Sequence, residues 1–202
     1  MPYYNLPTLL TWLRILAIPL LISVYYMPEH WTLWHFTRDF VATLLFCAAA
    51  VTDWLDGYLA RKLNQTSAFG AFLDPVADKL MVAAALIMLV QLARVDAIIA
   101  AIIIGREITI SALREWMAQI GAHKSVAVSM VGKIKTVAQM IAIPLLLYHT
   151  PFLGLPIQKI GTWLIYIAAV LTLWSMGYYM KVAWPRIAAR DRKRNKKSGA
   201  GS

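Results

Sequence analysis

The amino-acid sequence predicts an all-α, polytopic membrane protein with six transmembrane helices and both termini in the cytoplasm. Three observations support this prediction: the composition, six apolar segments of spanning length, and an uneven distribution of basic residues. Of the 202 residues, 60% are hydrophobic and only 15% are charged, which is too apolar for an ordinary soluble domain of this length. Cys47 is the single cysteine, so an internal disulfide is excluded.

Six hydrophobic segments have about the length of 20 residues that crosses a hydrocarbon core of about 30 Å. Proline follows the first and the last of them, at Pro28 and Pro185, and is expected to end each helix. The first segment has no cleavage site after it and is predicted to be an uncleaved span. The predicted spans are Leu9–Tyr26, Phe40–Leu63, Asp74–Ala93, Ala97–Trp116, Val131–Tyr148 and Gly161–Trp184.

The basic residues orient these spans, because cytoplasmic loops of membrane proteins carry the excess of Lys and Arg. With the N-terminus inside, only Arg38, Arg94 and Lys159 of the 20 Lys and Arg residues lie on the outer side, and Lys79 lies within the third span. Residues 1–185 are therefore predicted to form one membrane domain. Residues 186–202 are predicted to form a flexible basic tail, which lies on anionic headgroups rather than on nucleic acid.

Four aspartates lie within 26 residues, inside segments that otherwise read as membrane spans: Asp53, Asp56, Asp74 and Asp78. Each Asp at the centre of a membrane costs at least ~2.5–3.5 kcal/mol on insertion scales, so a compensating positive charge is expected. The spacings i, i+3 and i, i+4 put each pair on one helix face. Asp74-Pro75 is predicted to be the N-cap and first position of the third helix. The two pairs are then expected to meet at the cytoplasmic ends of adjacent antiparallel helices.

Carboxylates alone, with no Cys or His nearby, favour hard cations such as Mg²⁺, Mn²⁺ or Ca²⁺. Two such ions would clamp a phosphoryl group. Taken singly, Gly57 and Ala60 indicate helix packing, Arg61 indicates a membrane anchor, and an isolated Asp indicates a proton relay. The combined pattern makes these separate explanations improbable.

This pattern resembles the signature of the CDP-alcohol phosphotransferases, D-x2-D-G-x2-A-R-x8-G-x3-D-x3-D. The resemblance implies a six-helix membrane fold, a homodimer, and two divalent cations, Mg²⁺ or Mn²⁺, held by the four aspartates. It implies that Asp78 is also the general base on the acceptor hydroxyl. The CDP-diacylglycerol group would bind at Asp53, Gly57, Ala60, Arg61 and Gly70. The fixed positions of the signature are occupied by Asp53, Asp56, Gly57, Ala60, Arg61, Gly70, Asp74 and Asp78.

Other segments resemble the bacterial members of this family that use glycerol 3-phosphate as the acceptor. The acceptor is a dianion, and basic residues near the cytoplasmic helix ends suit it. Snorkelling to headgroups is the alternative explanation for each of these residues taken alone, and for Arg106 and Arg14 the functional interpretation is favoured. The resembling segments are Asn5–Thr11, Arg106–Ile108, Ser111–Trp116, Ser125–Ser129, Gly132–Thr136 and Gln139–Met140, and the predicted acceptor residues are Arg14, Arg106, Arg114, Lys133 and Lys135.

The resemblance implies transfer of a phosphatidyl group from CDP-diacylglycerol to glycerol 3-phosphate, with release of CMP, at the cytoplasmic face of a bacterial inner membrane. Inositol phosphate, serine and phosphatidylglycerol remain open as acceptors. A small cation transporter is the alternative from another class, but it would place its ionisable groups near the bilayer midplane on broken helices. A membrane anchor with a basic tail that binds acidic lipid or nucleic acid would leave the aspartates unexplained.

Overall fold

The computed structural model describes residues 6–28, 37–63, 68–119, 130–151 and 154–198, which form six helices and no β-strand element. The all-α prediction is confirmed for these residues. The helices are α1 Leu6–Tyr26, α2 Arg38–Leu63, α3 Ala68–Gln91, α4 Ala97–Gln119, α5 Met130–Tyr148 and α6 Ile157–Ser198. Within them, the described side chains exclude those at 6–9, 54, 56–63, 68–72, 74, 118–119, 130–131, 133 and 182–198.

One described helical segment is long and apolar enough to cross a membrane, Ile157–Lys181 of α6. Shorter apolar segments occur at Leu10–Tyr26 and Ile134–Tyr148. Charged residues interrupt the hydrophobic character of other helices, as Arg106 and Glu107 do near the middle of α4. Six helices are therefore observed, whereas six membrane spans stay a prediction.

Two predicted helix ends are wrong. Helix α3 begins at Ala68, so Pro75 lies inside it and not at its first position. Helix α6 continues through Pro185 to Ser198, past the predicted end of the last span at Trp184, and the flexibility of residues 186–202 stays a prediction. Capping residues and prolines act only locally. A helix continues through them where the residues on both sides favour the helical conformation. An apolar run precedes Pro75, and Ala, Arg and Lys follow Pro185.

The core forms where α1 packs on α2 and α3, α5 packs on α2 and α6, and α4 packs on α3 and α6. The centre of this core is largely aliphatic. A smaller cluster joins α4 to α6 through Ile110, Met117 and Tyr179. Completely buried residues of the main core are Leu21, Ala85, Leu86, Leu89, Ile103, Ala142, Ile143, Leu146 and Leu147.

Arg94, in the turn between α3 and α4, ties three helix ends together. Its Nη2 donates to Oδ2 of Asp39, in the first turn of α2, at 2.7 Å. Its Nη1 donates to the carbonyl oxygens of Leu147 at 2.6 Å and Leu146 at 3.2 Å, near the end of α5. The last carbonyl groups of a helix have no N–H donor within the helix and carry a partial negative charge. A guanidinium supplies both hydrogen-bond donors and a positive charge to them.

Gly161 lets α6 approach α5 closely. A Cβ at this position would lie 2.9 Å from Cγ of Leu146 and 3.2 Å from Cβ of Leu145. Neither atom is the free end of a flexible side chain, so a larger residue would push the two helices apart. Gly177, on the same helix, has no heavy atom within 4 Å of its ideal Cβ.

We expect Gly161→Ala to lower stability by about 1–2 kcal/mol, because overpacking outweighs the gain in helix propensity. The matched variant Gly177→Ala is expected to be neutral or stabilising. Thermal unfolding in detergent measures both. Equal unfolding midpoints for the two variants would contradict the close approach of α5 and α6.

Candidate active site

Asp53 of α2 and Asp78 of α3 line the same small cavity, together with Arg14 of α1. The meeting of the two helices at their aspartates, predicted from the sequence, is therefore observed for this pair. Arg14 is 2% exposed, and its Nη1 lies 2.6 Å from Oδ1 of Asp53. The ion pair neutralises a buried guanidinium, which would be very costly without a partner.

Asp78 differs from Asp53 in its contacts with charged side chains. It lies within electrostatic range of Arg14, Lys79, Asp53 and Glu107, but it forms no ion pair with any residue whose side chain the structure describes. Among the described side chains, Asp53 is thus the aspartate that Arg14 engages.

Asp78 also opens onto a much larger cavity of about 790 Å³ between α3 and α4. Lys79 lies beside it, and α4 contributes Arg106, Glu107 and Arg114. The volume is that of a small-molecule site. Three carboxylates, from Asp78, Glu107 and Glu115, and three cations, from Lys79, Arg106 and Arg114, thus face the same space. The two guanidiniums suit an anionic group of a ligand, and a carboxylate suits a ligand hydroxyl.

Two α6 residues hold the arginines of this cavity in place. Tyr179 is 1% exposed, and its ring lies 5.8 Å from Cζ of Arg106 and 5.5 Å from Cζ of Arg114, within cation–π range. Arg114 Nη2 also lies 3.4 Å from the Tyr179 hydroxyl. Arg106 Nη2 donates to Oγ of Ser175 at 3.0 Å. The Tyr179 ring therefore contacts both cations and favours their position beside it.

Glu107 neutralises two buried cations. Its Oε1 accepts a hydrogen bond from Nζ of Lys135, on α5, and lies 3.5 Å from Nη1 of Arg106. Lys135 is 1% exposed and is turned toward this carboxylate. Glu107 itself lines the large cavity. Lys135 is thus placed to hold Glu107 at the wall of the large cavity.

The predicted acceptor residues divide into three sets. Arg106 and Arg114 share the large cavity, and their role toward the acceptor stays a prediction. Arg14 lies apart from them, beside the aspartates, because Asp53 is the carboxylate within its reach. Lys135 is bound to Glu107, and the Lys133 side chain lies outside the described residues.

For most residues of the signature, the structure describes the backbone but not the side chain. The backbones of all of them lie in α2 or α3. Among the described side chains no three acidic, His or Cys groups come together as a metal site, but two of the four predicted ligands fall outside that set. The predicted site residues whose side chains are not described are Asp56, Gly57, Ala60, Arg61, Gly70, Asp74 and Lys133.

Sequence reasoning missed Tyr179, Ser175 and the role of Glu107. The only sequence signal for the α6 pair was its i, i+4 spacing, which puts a hydroxyl and a phenol on one helix face. That spacing is common in apolar helices and carries no function by itself. The contact with α4 gives the pair its role.

The amino-acid sequence of this chain is similar to those of known proteins. A family model described as CDP-alcohol phosphatidyltransferase matches residues 4–174. Proteins of Shigella flexneri and Escherichia coli, each named CDP-diacylglycerol–glycerol-3-phosphate 3-phosphatidyltransferase, are 49% identical to this chain over 182 residues. These alignments cover 89% of this chain and 95% of each relative.

We expect Glu107→Gln to destabilise the protein by about 1–3 kcal/mol, because Lys135 loses its carboxylate while it stays buried. Glu115→Gln, an exposed change on the same helix, is the matched control. Thermal unfolding in detergent measures the loss, and the double variant Glu107→Gln/Lys135→Met should recover most of it. A Glu107→Gln midpoint equal to that of Glu115→Gln would show that the buried pair contributes nothing.

Proposed function

The chain belongs to the CDP-alcohol phosphatidyltransferase family, and we propose that it transfers the phosphatidyl group of CDP-diacylglycerol to glycerol 3-phosphate, with release of CMP. One observation carries the choice of an anionic acceptor: the cavity of about 790 Å³ that joins Asp78 to Arg106 and Arg114. The relatives with 49% identity carry the name of this activity.

The phosphate of the acceptor binds at Arg106 and Arg114 in this proposal. A guanidinium forms paired hydrogen bonds with phosphate oxygens, and the Tyr179 ring holds both arginines on one wall of the cavity. Lys133 supplies further positive charge nearby. Lys135 contributes through Glu107, and Arg14 acts at the aspartates by holding Asp53.

The phosphatidyl donor binds on the side of α2, at Asp53, Gly57, Ala60, Arg61 and Gly70. The small residues admit the cytidine diphosphate close to the backbone, and Arg61 binds a phosphate. This assignment rests on the match to the family signature, residue by residue.

The donor set fits divalent cations. Asp53 and Asp78 line one cavity, and Asp56 and Asp74 lie one helical turn from them in the sequence. Oxygen ligands of this kind suit Mg²⁺ or Mn²⁺. When bound by these four aspartates, two such ions would neutralise the diphosphate and the charge that develops on the leaving phosphate.

Asp78 takes the proton from the primary hydroxyl of glycerol 3-phosphate. The hydroxyl oxygen forms a bond to the phosphorus of the phosphatidyl group, the bond from that phosphorus to the CMP oxygen breaks, and CMP leaves with the electron pair. The proton passes from Asp78 to solvent. Arg106 and Arg114 hold the acceptor so that its hydroxyl reaches Asp78, which removes much of the entropic cost of the encounter.

A lipid donor requires contact with a bilayer, and the surface of α6 suits it. Trp163 is 72% exposed, Val170 66% and Trp174 73%, which is more apolar exposure than one helix of a soluble protein carries. We propose that six helices span the bacterial inner membrane, that the active site faces the cytoplasm, and that the chain forms a homodimer, as the family resemblance implies. The donor then enters sideways from the inner leaflet.

We expect purified protein in detergent, supplied with CDP-diacylglycerol and Mg²⁺ or Mn²⁺, to release CMP with glycerol 3-phosphate. Serine, inositol phosphate and phosphatidylglycerol, offered in parallel, should give little release, since the first lacks the phosphate that the arginines bind and the others do not match the relatives' named acceptor. EDTA should abolish turnover, and added Mg²⁺ should restore it. Preference for another acceptor would overturn the assignment of Arg106 and Arg114, and release that survives EDTA would overturn the metal proposal.

We expect Asp78→Asn to lower kcat by at least ~100-fold, because an amide does not accept the proton of the hydroxyl. Asp96→Asn is the matched control, since Asp96 caps the start of α4 and Asn caps equally well. Saturating Mn²⁺ distinguishes the two proposed roles. Activity of the Asp78→Asn protein that returns at high Mn²⁺ would make the residue a metal ligand only, and undiminished activity would remove it from the mechanism.

A further inference from the structure

Gln139 of α5 is a buried polar side chain that the mechanism above does not use. The residue is 4% exposed, and its Oε1 has no hydrogen-bond partner within the part of the chain that the structure describes. A buried amide without a partner is destabilising, and such groups in native proteins have a reason, often a ligand. The unpartnered Oε1 therefore indicates a hydrogen-bond donor that a bound ligand supplies.

The surroundings of Gln139 locate that group. Gln139 lines a cavity of about 100 Å³, whose other polar walls are Asp78, Lys79, Glu107 and Thr136. The first three also line the large cavity that contains Arg114. The small cavity is thus a side pocket of the proposed acceptor site, adjacent to the carboxylate that takes the proton.

We propose that the Gln139 amide binds the secondary hydroxyl of the acceptor and thereby selects a three-carbon polyol phosphate. This inference rests on the proposed function. The acceptor carries three polar groups: its phosphate faces the arginines, its primary hydroxyl faces Asp78, and its secondary hydroxyl is on the neighbouring carbon. A pocket of about 100 Å³ admits that carbon with its hydroxyl but excludes a nucleotide.

The chemistry of the amide suits this role. A hydroxyl both donates and accepts, so it satisfies a carboxamide in either orientation. A site built to hydrogen-bond a substrate hydroxyl also rejects an analogue that lacks it, because the buried partner is then left unsatisfied. Gln139 is consequently a specificity residue. Its loss should impair turnover of an acceptor with the secondary hydroxyl more than turnover of an analogue without it.

The test compares glycerol 3-phosphate with 3-hydroxypropyl phosphate, which retains the phosphate and the primary hydroxyl and lacks only the secondary one. We expect wild-type protein to prefer glycerol 3-phosphate by at least ~100-fold in kcat/KM. Gln139→Met keeps the length of the side chain and removes its hydrogen bonding. It should lower kcat/KM for glycerol 3-phosphate by at least ~10-fold and leave that for the analogue within about threefold.

Gln91→Met makes the same chemical change at an exposed glutamine of α3, which is hydrogen-bonded to Tyr26, and should leave the preference intact. Gln139→Asn provides a second variant should the Gln139→Met protein not fold. Its shorter side chain should also reduce the ratio of kcat/KM for glycerol 3-phosphate to that for the analogue. An equal loss on both substrates, or an unchanged preference in a folded variant, would overturn the role of Gln139. Wild-type protein that turns over neither substrate would instead overturn the proposed function.

Discussion

Charge burial in an apolar helical bundle is the constraint on which the rest of this structure depends. A buried ion needs an opposite charge within reach, because its desolvation is otherwise too costly. Arg14 meets Asp53, Arg94 meets Asp39, and Lys135 and Arg106 meet Glu107. Three of these pairs join different elements, namely α1 to α2, the α3–α4 turn to α2, and α5 to α4, whereas Arg106 and Glu107 are neighbours within α4. The ion pairs therefore influence how the helices are arranged, in addition to neutralising buried charge.

The same constraint explains why Asp78 is distinctive. Asp78 lines three cavities: the large one between α3 and α4, the side pocket that contains Gln139, and the small cavity that it shares with Asp53. No described cation forms an ion pair with it. A ligand, a metal ion or a proton would match the charge of Asp78, and the proposed chemistry brings all three to this position. The other buried charges named above are paired within the described part of the chain.

The helices themselves were largely predictable from the sequence. The ends of α4 and α5 agree with the predicted spans to within three residues, because apolar length and flanking polar turns are local properties. Pro75 and Pro185 misled the prediction for the opposite reason. Each proline disfavours a helix locally, but both helices continue through it, because the cooperative gain over the flanking residues outweighs that cost.

The sequence by itself determined the all-α class, the family signature from Asp53 to Asp78, and the basic residues suited to an anionic acceptor. These follow from residue type and spacing within single segments. Only the tertiary structure decided that Arg14 belongs with Asp53, that Glu107 holds Lys135, and that Tyr179 contacts both Arg106 and Arg114. Such pairings join residues far apart in the chain, and they depend on which helix faces pack together. That choice is made by burial of the whole apolar core and not by any one segment.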